Sequence, residues 1–170
     1  MNVDAEYSFV SASPDENSQG YGIEIAWTDT SMLRRHVRLF VGWHIPTHQQ
    51  IPLLGFSIEP ALEDVRPIMP EALTVVDGWI EVGDLRATVA GPGARGHRIH
   101  FFDSIEPQLA NELMSRMFGG DIPTIGMQTQ ADAEVQVFRI ATPLPDSVAT
   151  EVLRAMEDLK GKGVLTRGQG

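Results

Sequence analysis

Eleven arginines and two lysines carry the positive charge of this 170-residue chain, and the arginines are not evenly spread. Arg34, Arg35 and Arg38 lie in residues 31–50, a stretch without a single acid; Arg86, Arg95 and Arg98 lie in residues 85–102, also free of acids. A guanidinium is a planar fork of N–H donors that matches the edges of phosphates and carboxylates. Arg34 and Arg38 are four residues apart, so an extended strand points both to one face. The pattern suits one local anion site where the two cationic stretches meet, with Arg34, Arg38, Arg95 and Arg98 as donors. Solvation, or pairing with neighbouring acids, is the competing reading of the same arginines.

Other residue patterns lead to less. Gly91, Gly93 and Gly96 spell G-x-G-x-x-G, but the dinucleotide fingerprint needs a helix that opens directly on the glycines. The segment Arg98–Phe102 follows instead and reads as a strand, so the glycines are expected to form a β-hairpin loop. His44 and His48 are four apart with Pro46 between them, which spoils a helical chelate. His97 and His100 are an odd number apart and would point to opposite faces of a strand. With no cysteine in the chain, thiolate sites and disulfides drop out, and no metal or cofactor is expected. No nucleophile-elbow, zinc-protease, Walker or deaminase signature occurs. A small enzyme using His36, His44, His97 or His100 as acid or base remains the catalytic reading.

Charge and composition narrow the partners. The net charge is −10. Residues 1–30 hold six acids and no Lys or Arg, and residues 51–84 hold seven acids against Arg66. An acidic body disfavours non-specific binding to nucleic acid or to an anionic membrane. It favours a protein partner with a basic surface, met quickly and in a salt-sensitive way. The leading functional reading is a non-enzymatic acidic module that regulates or inhibits such a partner, similar in size and acidity to immunity proteins, inhibitors and secretion chaperones. No apolar run of about 18 residues is present, the first 20 residues lack a signal-peptide pattern, and a cytoplasmic location follows as an expectation.

The elements that must position these residues are mostly strands. Tyr7–Val10 is a short strand candidate, and Ser11–Gly20 reads as a polar loop. Ile23, Ile25 and Trp27 alternate with Glu24 and Ala26, the period of a half-buried strand. From Leu33 to His44, Leu33, Arg35, Val37, Leu39, Val41 and Trp43 share one face, and Arg34, His36, Arg38 and Phe40 share the other. Gln50–Ile58 is compatible with a further strand, and Ala61–Val65 with one helical turn in a proline-rich loop. Asp77-Gly78 between Leu73–Val76 and Trp79–Val82 predicts a type I′ hairpin turn, and Gly83-Asp84 predicts the next turn, before Leu85–Ala90. A helix is expected from an N-cap at Asp103 or Ser104 to Gly119, with Leu109, Leu113 and Met117 on one stripe. Strands at Pro123–Thr129 and Glu134–Thr142 follow. A last helix runs from Asp146-Ser147 to Gly161, with Val148, Val152, Met156 and Leu159 inward.

These elements sum to a single α+β domain over residues 1–160. Its sheet is mainly antiparallel, barrel-like or strongly curved, and two amphipathic helices close it. Residues 161–170 form a flexible tail, and residues 1–20 are the part of the domain expected to be mobile. The expected core is Tyr21, Trp27, Val37, Leu39, Val41, Trp43, Phe101, Leu109, Leu113, Phe138 and Val152, with all three tryptophans inside.

Leu33-Arg34-Arg35-His36-Val37-Arg38-Leu39 resembles the R-x-x-x-R segment that opens a PilZ domain, a bacterial receptor module for cyclic di-GMP. Leu85–Phe118 resembles that family's closing strands and terminal helix, so the likeness spans roughly residues 33–118. It implies a cyclic dinucleotide gripped by Arg34 and Arg38. The family's second motif, D-x-S-x-x-G, has its nearest counterpart in Gly55-Phe56-Ser57-Ile58-Glu59-Pro60, which keeps only Ser57.

Overall fold

A computed structural model describes residues 1–60, 74–93 and 99–161, and the side chains of all of these except 12–15, 51, 60, 90–93, 99–104 and 160–161. Ten strands and two helices occupy the described residues. They are β1 (Asn2–Val3), β2 (Glu6–Asp15), β3 (Ser18–Thr28), β4 (Leu33–His44), β5 (Gln49–Pro60), β6 (Val75–Val82), β7 (Leu85–Gly93), β8 (Ile99–Ser104), α1 (Pro107–Phe118), β9 (Thr124–Thr129), β10 (Gln136–Ile140) and α2 (Asp146–Gly161). They form an α+β fold with two open five-stranded sheets. The first runs β2-β3-β4-β5-β8 and the second β1-β10-β9-β6-β7. Every pairing is antiparallel except β1 on β10.

Alternation sets which residues go inside. Along β4, Val37, Leu39, Val41 and Trp43 are each no more than 2% exposed, while the residues between them face out. The register of β3 places Ile25 opposite Val37 and Ile23 opposite Leu39, so neighbouring inward rows line up. The second sheet offers Ile80, Ile125, Met127 and Phe138 to the same core. Trp27 and Phe138 meet between the sheets with ring centroids 5.1 Å apart. Helix α1 packs against β5, β6 and β7, and α2 against β2 and β3. Leu113 and Met117 of α1 and Val152 and Leu159 of α2 are almost fully buried in that one core. Of the expected core residues, Leu109 is half-buried and the side chain of Phe101 lies outside the described ones.

Several local expectations are corrected. Residues 11–20 are not a loop: β2 continues to Asp15 and β3 begins at Ser18, because cross-strand pairing with β3 outweighs the polarity of the side chains. Asp77-Gly78 lies inside continuous β6, beside an irregularity of register between Val75 and Asp77. Both residues pair regularly, Asp77 with Ala90 and Gly78 with Val89, and a Cβ on Gly78 would strike the Phe56 ring of the facing sheet. The turn at Gly83-Asp84 is where the alternation placed it. β7 and β8 are not a hairpin: β7 pairs with β6 and β8 with β5, in different sheets. The loop between them, with Arg95, His97 and Arg98, lies outside the described residues, as does Ala61–Val65. Helix α1 starts at Pro107 with Glu106 as N-cap, while Asp103 and Ser104 belong to β8. Proline at the first helical position loses nothing there, since that N–H has no partner in the helix.

Residues 1–20 are tied in. The backbone of Met1 and Val3 bonds to Arg139 and Ala141, and the Tyr7 hydroxyl donates to the Thr142 carbonyl at 2.7 Å. Burial pushes the Tyr7 hydroxyl up to about 12 and raises Tyr21 as well. An ultraviolet titration of the folded protein should therefore show neither of its two tyrosines half-ionised at pH 10, where an exposed tyrosine is. The stability Tyr7 contributes is complete below pH 10 and is lost as the pH climbs towards about 12. A full tyrosinate signal at pH 10 before unfolding would contradict the burial.

Candidate functional site

β4 presents its charges to solvent because its apolar partners go inward. On that outer face β3 brings Glu24 opposite Arg38, and β5 brings Glu59 opposite Arg34 and Ser57 opposite His36. The side chains then join diagonally. His36 Nδ1 lies 2.5 Å from Glu24 Oε1 and its Nε2 lies 3.0 Å from Glu59 Oε1. Arg38 donates to the other oxygen of Glu24 at 3.1 Å. Arg34 donates to Glu6 at 3.0 Å and to the Thr28 hydroxyl at 3.3 Å. Both nitrogens of one imidazole face carboxylates, one from each neighbouring strand. The run Glu59–His36–Glu24–Arg38 thus clamps three adjacent strands.

The hydrogen bond from His36, with the Arg38 charge behind it, holds the Glu24 carboxyl at about 2, well below its ordinary 4.5. A depressed carboxylate adds stability above its unfolded value and loses it as the pH falls through the folded one. For Glu24 that window runs from 4.5 down to about 2, with at most roughly 3 kcal/mol at stake. Urea unfolding across this window should show the loss in the wild type and a flattened limb in Glu24→Gln. Parallel limbs in the two proteins would mean that Glu24 is not the group responsible.

Three of the five residues expected from sequence to bind an anion, Arg34, Arg38 and Ser57, do share this face. Arg95 and Arg98 lie outside the described residues. What sequence reasoning missed is the set of acids: Glu6, Glu24 and Glu59 come from three other strands, and they contact Arg34, His36 and Arg38 of β4. The alternation of β3 already placed Glu24 outward, but the register that sets it beside Arg38 and His36 is not written in either segment. Among the described residues no group of three His, Asp or Glu side chains is placed to hold a metal ion. Glu24 and Glu59 bracket the imidazole from opposite sides instead of converging. His44 turns its Nδ1 to the Thr47 hydroxyl at 2.8 Å, at the end of a strand and not on a helix.

Two more surfaces bear on function. On the outside of the second sheet, Trp79 is half-buried and lies flat over Gly126, with the Arg86 guanidinium 4.0 Å from its ring and Glu81 3.2 Å from Arg86. Trp79 therefore sits outside the core expected for it. It falls on the opposite face from Ile80 and Val82 once β6 is one unbroken strand. An open groove of about 410 Å³ separates this Arg86 from the first turn of α1. The second surface is the solvent side of α2. Among the described side chains it exposes Asp146, Glu151, Glu157 and Asp158 against Arg154, with Leu153, 47% exposed, on the flank nearer Asp146 and Glu157.

Comparison of the chain with family models, curated proteins and solved structures finds no match in any of the three. Among the described residues no helix is long and apolar enough to cross a membrane.

Proposed function

We propose that this chain is a non-enzymatic binding module of the cytoplasm that regulates or inhibits a protein partner with a basic surface. The observation that carries the reading is the exposed side of α2, where among the described side chains four acids stand against one arginine, with an accessible leucine beside Asp146 and Glu157. Acids of one sign steer a cationic partner into an encounter, and an exposed apolar side chain beside them gives the encounter something to bury. The arginines of β4 support the same reading from the other direction. Arg34 and Arg38 each already meet a carboxylate on their own sheet, so an anionic ligand such as a cyclic dinucleotide would have to displace Glu6 and Glu24 from them.

The test is capture from lysate by the immobilised wild-type chain and by a Glu151→Lys/Glu157→Lys variant, at low and at high salt. The expected result is a basic protein retained at low salt by the wild type and lost in the variant, with association slowed about tenfold or more by charge reversal. The same proteins retained by both forms at both salts would overturn the assignment to α2. A saturable calorimetric titration with cyclic di-GMP, abolished in Arg34→Ala/Arg38→Ala, would replace it with an anion receptor.

A further inference from the structure

The groove between β7 and the start of α1 has a fixed arginine on one wall. Gly126 of β9 leaves room for the Trp79 ring to lie flat on the sheet, since a Cβ there would stand 2.1 Å from the ring. The Arg86 guanidinium stacks on that ring, 4.0 Å from its centre, and its Nε donates to Glu81 at 3.2 Å. The stack and the single hydrogen bond hold the planar fork in place. Neither terminal nitrogen of Arg86 has a partner among the described residues. On the other wall Glu106 precedes Pro107, which keeps it extended at ψ 132°. Glu106 makes no side-chain cap to α1, and its carboxylate has no partner among the described residues. Arg86 and Glu106 therefore line one groove of about 410 Å³ with opposite charges that do not pair with each other. Thr88 adds a hydroxyl, and Ile105, Pro107 and Leu109 supply apolar lining.

We propose that this groove binds a free α-amino acid with an apolar side chain, its carboxylate on Arg86, its ammonium on Glu106 and its side chain against Ile105, Pro107 and Leu109. The volume suits a small molecule. With Nε engaged by Glu81, the edge of the fork that remains carries both terminal nitrogens and accepts a carboxylate by two parallel hydrogen bonds. Charge decides between ligand classes. A phosphate or a dicarboxylate would set a second negative charge against Glu106, and a simple amine would set its charge against Arg86. A zwitterion meets both walls. Its net charge is zero, so the −10 of the chain does not repel it. An α-amino acid carries both charges and an apolar side chain on one carbon, which makes it the smallest molecule that supplies all three contacts.

Titration of the isotope-labelled full chain with L-leucine and with L-phenylalanine, followed by amide and indole NMR shifts, tests the site. Saturable shifts are expected at the Trp79 indole, at Arg86–Thr88 and at Glu106, Gln108 and Leu109, with a dissociation constant of about 1 mM or tighter. Arg86→Gln and Glu106→Gln change exposed residues and should leave the rest of the spectrum in place, while each weakens L-leucine about tenfold or more. Isocaproate, which is L-leucine without its ammonium, should bind about tenfold more weakly than the amino acid. If neither amino acid moves these resonances up to about 20 mM, the proposal is overturned. Isocaproate binding as well as L-leucine, or unchanged affinity in either variant, overturns it too, because the two opposed charges then do not hold the ligand. None of these outcomes depends on whether α2 binds a partner.

Discussion

Arg35→Ala should destabilise the protein by about 3–5 kcal/mol, the largest loss expected from one polar side chain here. Arg35 is 3% exposed and stands in the inward row of β4. Its Nε donates to Asp29 Oδ2 at 2.9 Å, and its guanidinium lies 4.9 Å from the centre of the Phe138 ring, with Gln136 Oε1 at 3.5 Å. The side chain therefore fastens β4 of one sheet to β10 of the other. Removing it leaves Asp29 buried at 7% exposure without its cation. Asp29 cannot simply turn to water, because its Oδ1 is already accepting from the amides of Ser31 and Leu33. For a chain of this length the melting temperature should fall by roughly 10 °C. Arg35→Met should cost less than alanine by restoring packing, and combining either with Asp29→Asn should be less than additive. A loss under about 1 kcal/mol for Arg35→Ala would show that the pair contributes little net stability.

Gly22→Ala should cost about 3 kcal/mol despite adding one methyl group, at the upper end of what overpacking does. Gly22 sits in the middle of β3 opposite Phe40. A Cβ there would come within 2.2 Å of the Leu39 carbonyl oxygen and 2.8 Å of the Phe40 Cα. Both are backbone atoms of the adjoining strand, so relief requires β3 and β4 to separate and cannot come from a rotamer change. Gly20 is a useful contrast. The atoms that a Cβ would strike first there belong to the Phe40 ring, at 2.2 Å, and a ring can swing away. Chemical denaturation of Gly20→Ala and Gly22→Ala side by side should therefore rank Gly22 as the more damaging. The reverse order would mean that the close approach of the two backbones does not constrain this sheet.

Much of this fold could be read from local pattern, and the exceptions have a common origin. The strand Leu33–His44 has the bounds its alternation implied, and α2 runs from Asp146 to Gly161 as its stripe required. In both, a strict apolar period extends over more than two turns or five residue pairs, and burial of that face dominates the local energetics. Ser11–Gly20 and Asp77-Gly78 went the other way because turn-forming side chains are a weak preference, and a neighbouring strand with free backbone groups outweighs it. The candidate site divides along the same line. That Arg34, His36 and Arg38 share an outward face follows from their spacing alone, and so does the inward position of Arg35.

What the amino-acid order settled by itself, then, is which side chains each element turns inward or outward, since alternation and helical period act over a few residues. Only the tertiary structure decided who meets whom. The closure of the chain set Glu24, Glu59 and Glu6 against Arg34, His36 and Arg38 of β4, and split one expected curved sheet into two open ones. Register and sheet membership are set by contacts between residues far apart in the chain. Their free energy comes from burying two faces together and satisfying both backbones at once, and no single segment contains it.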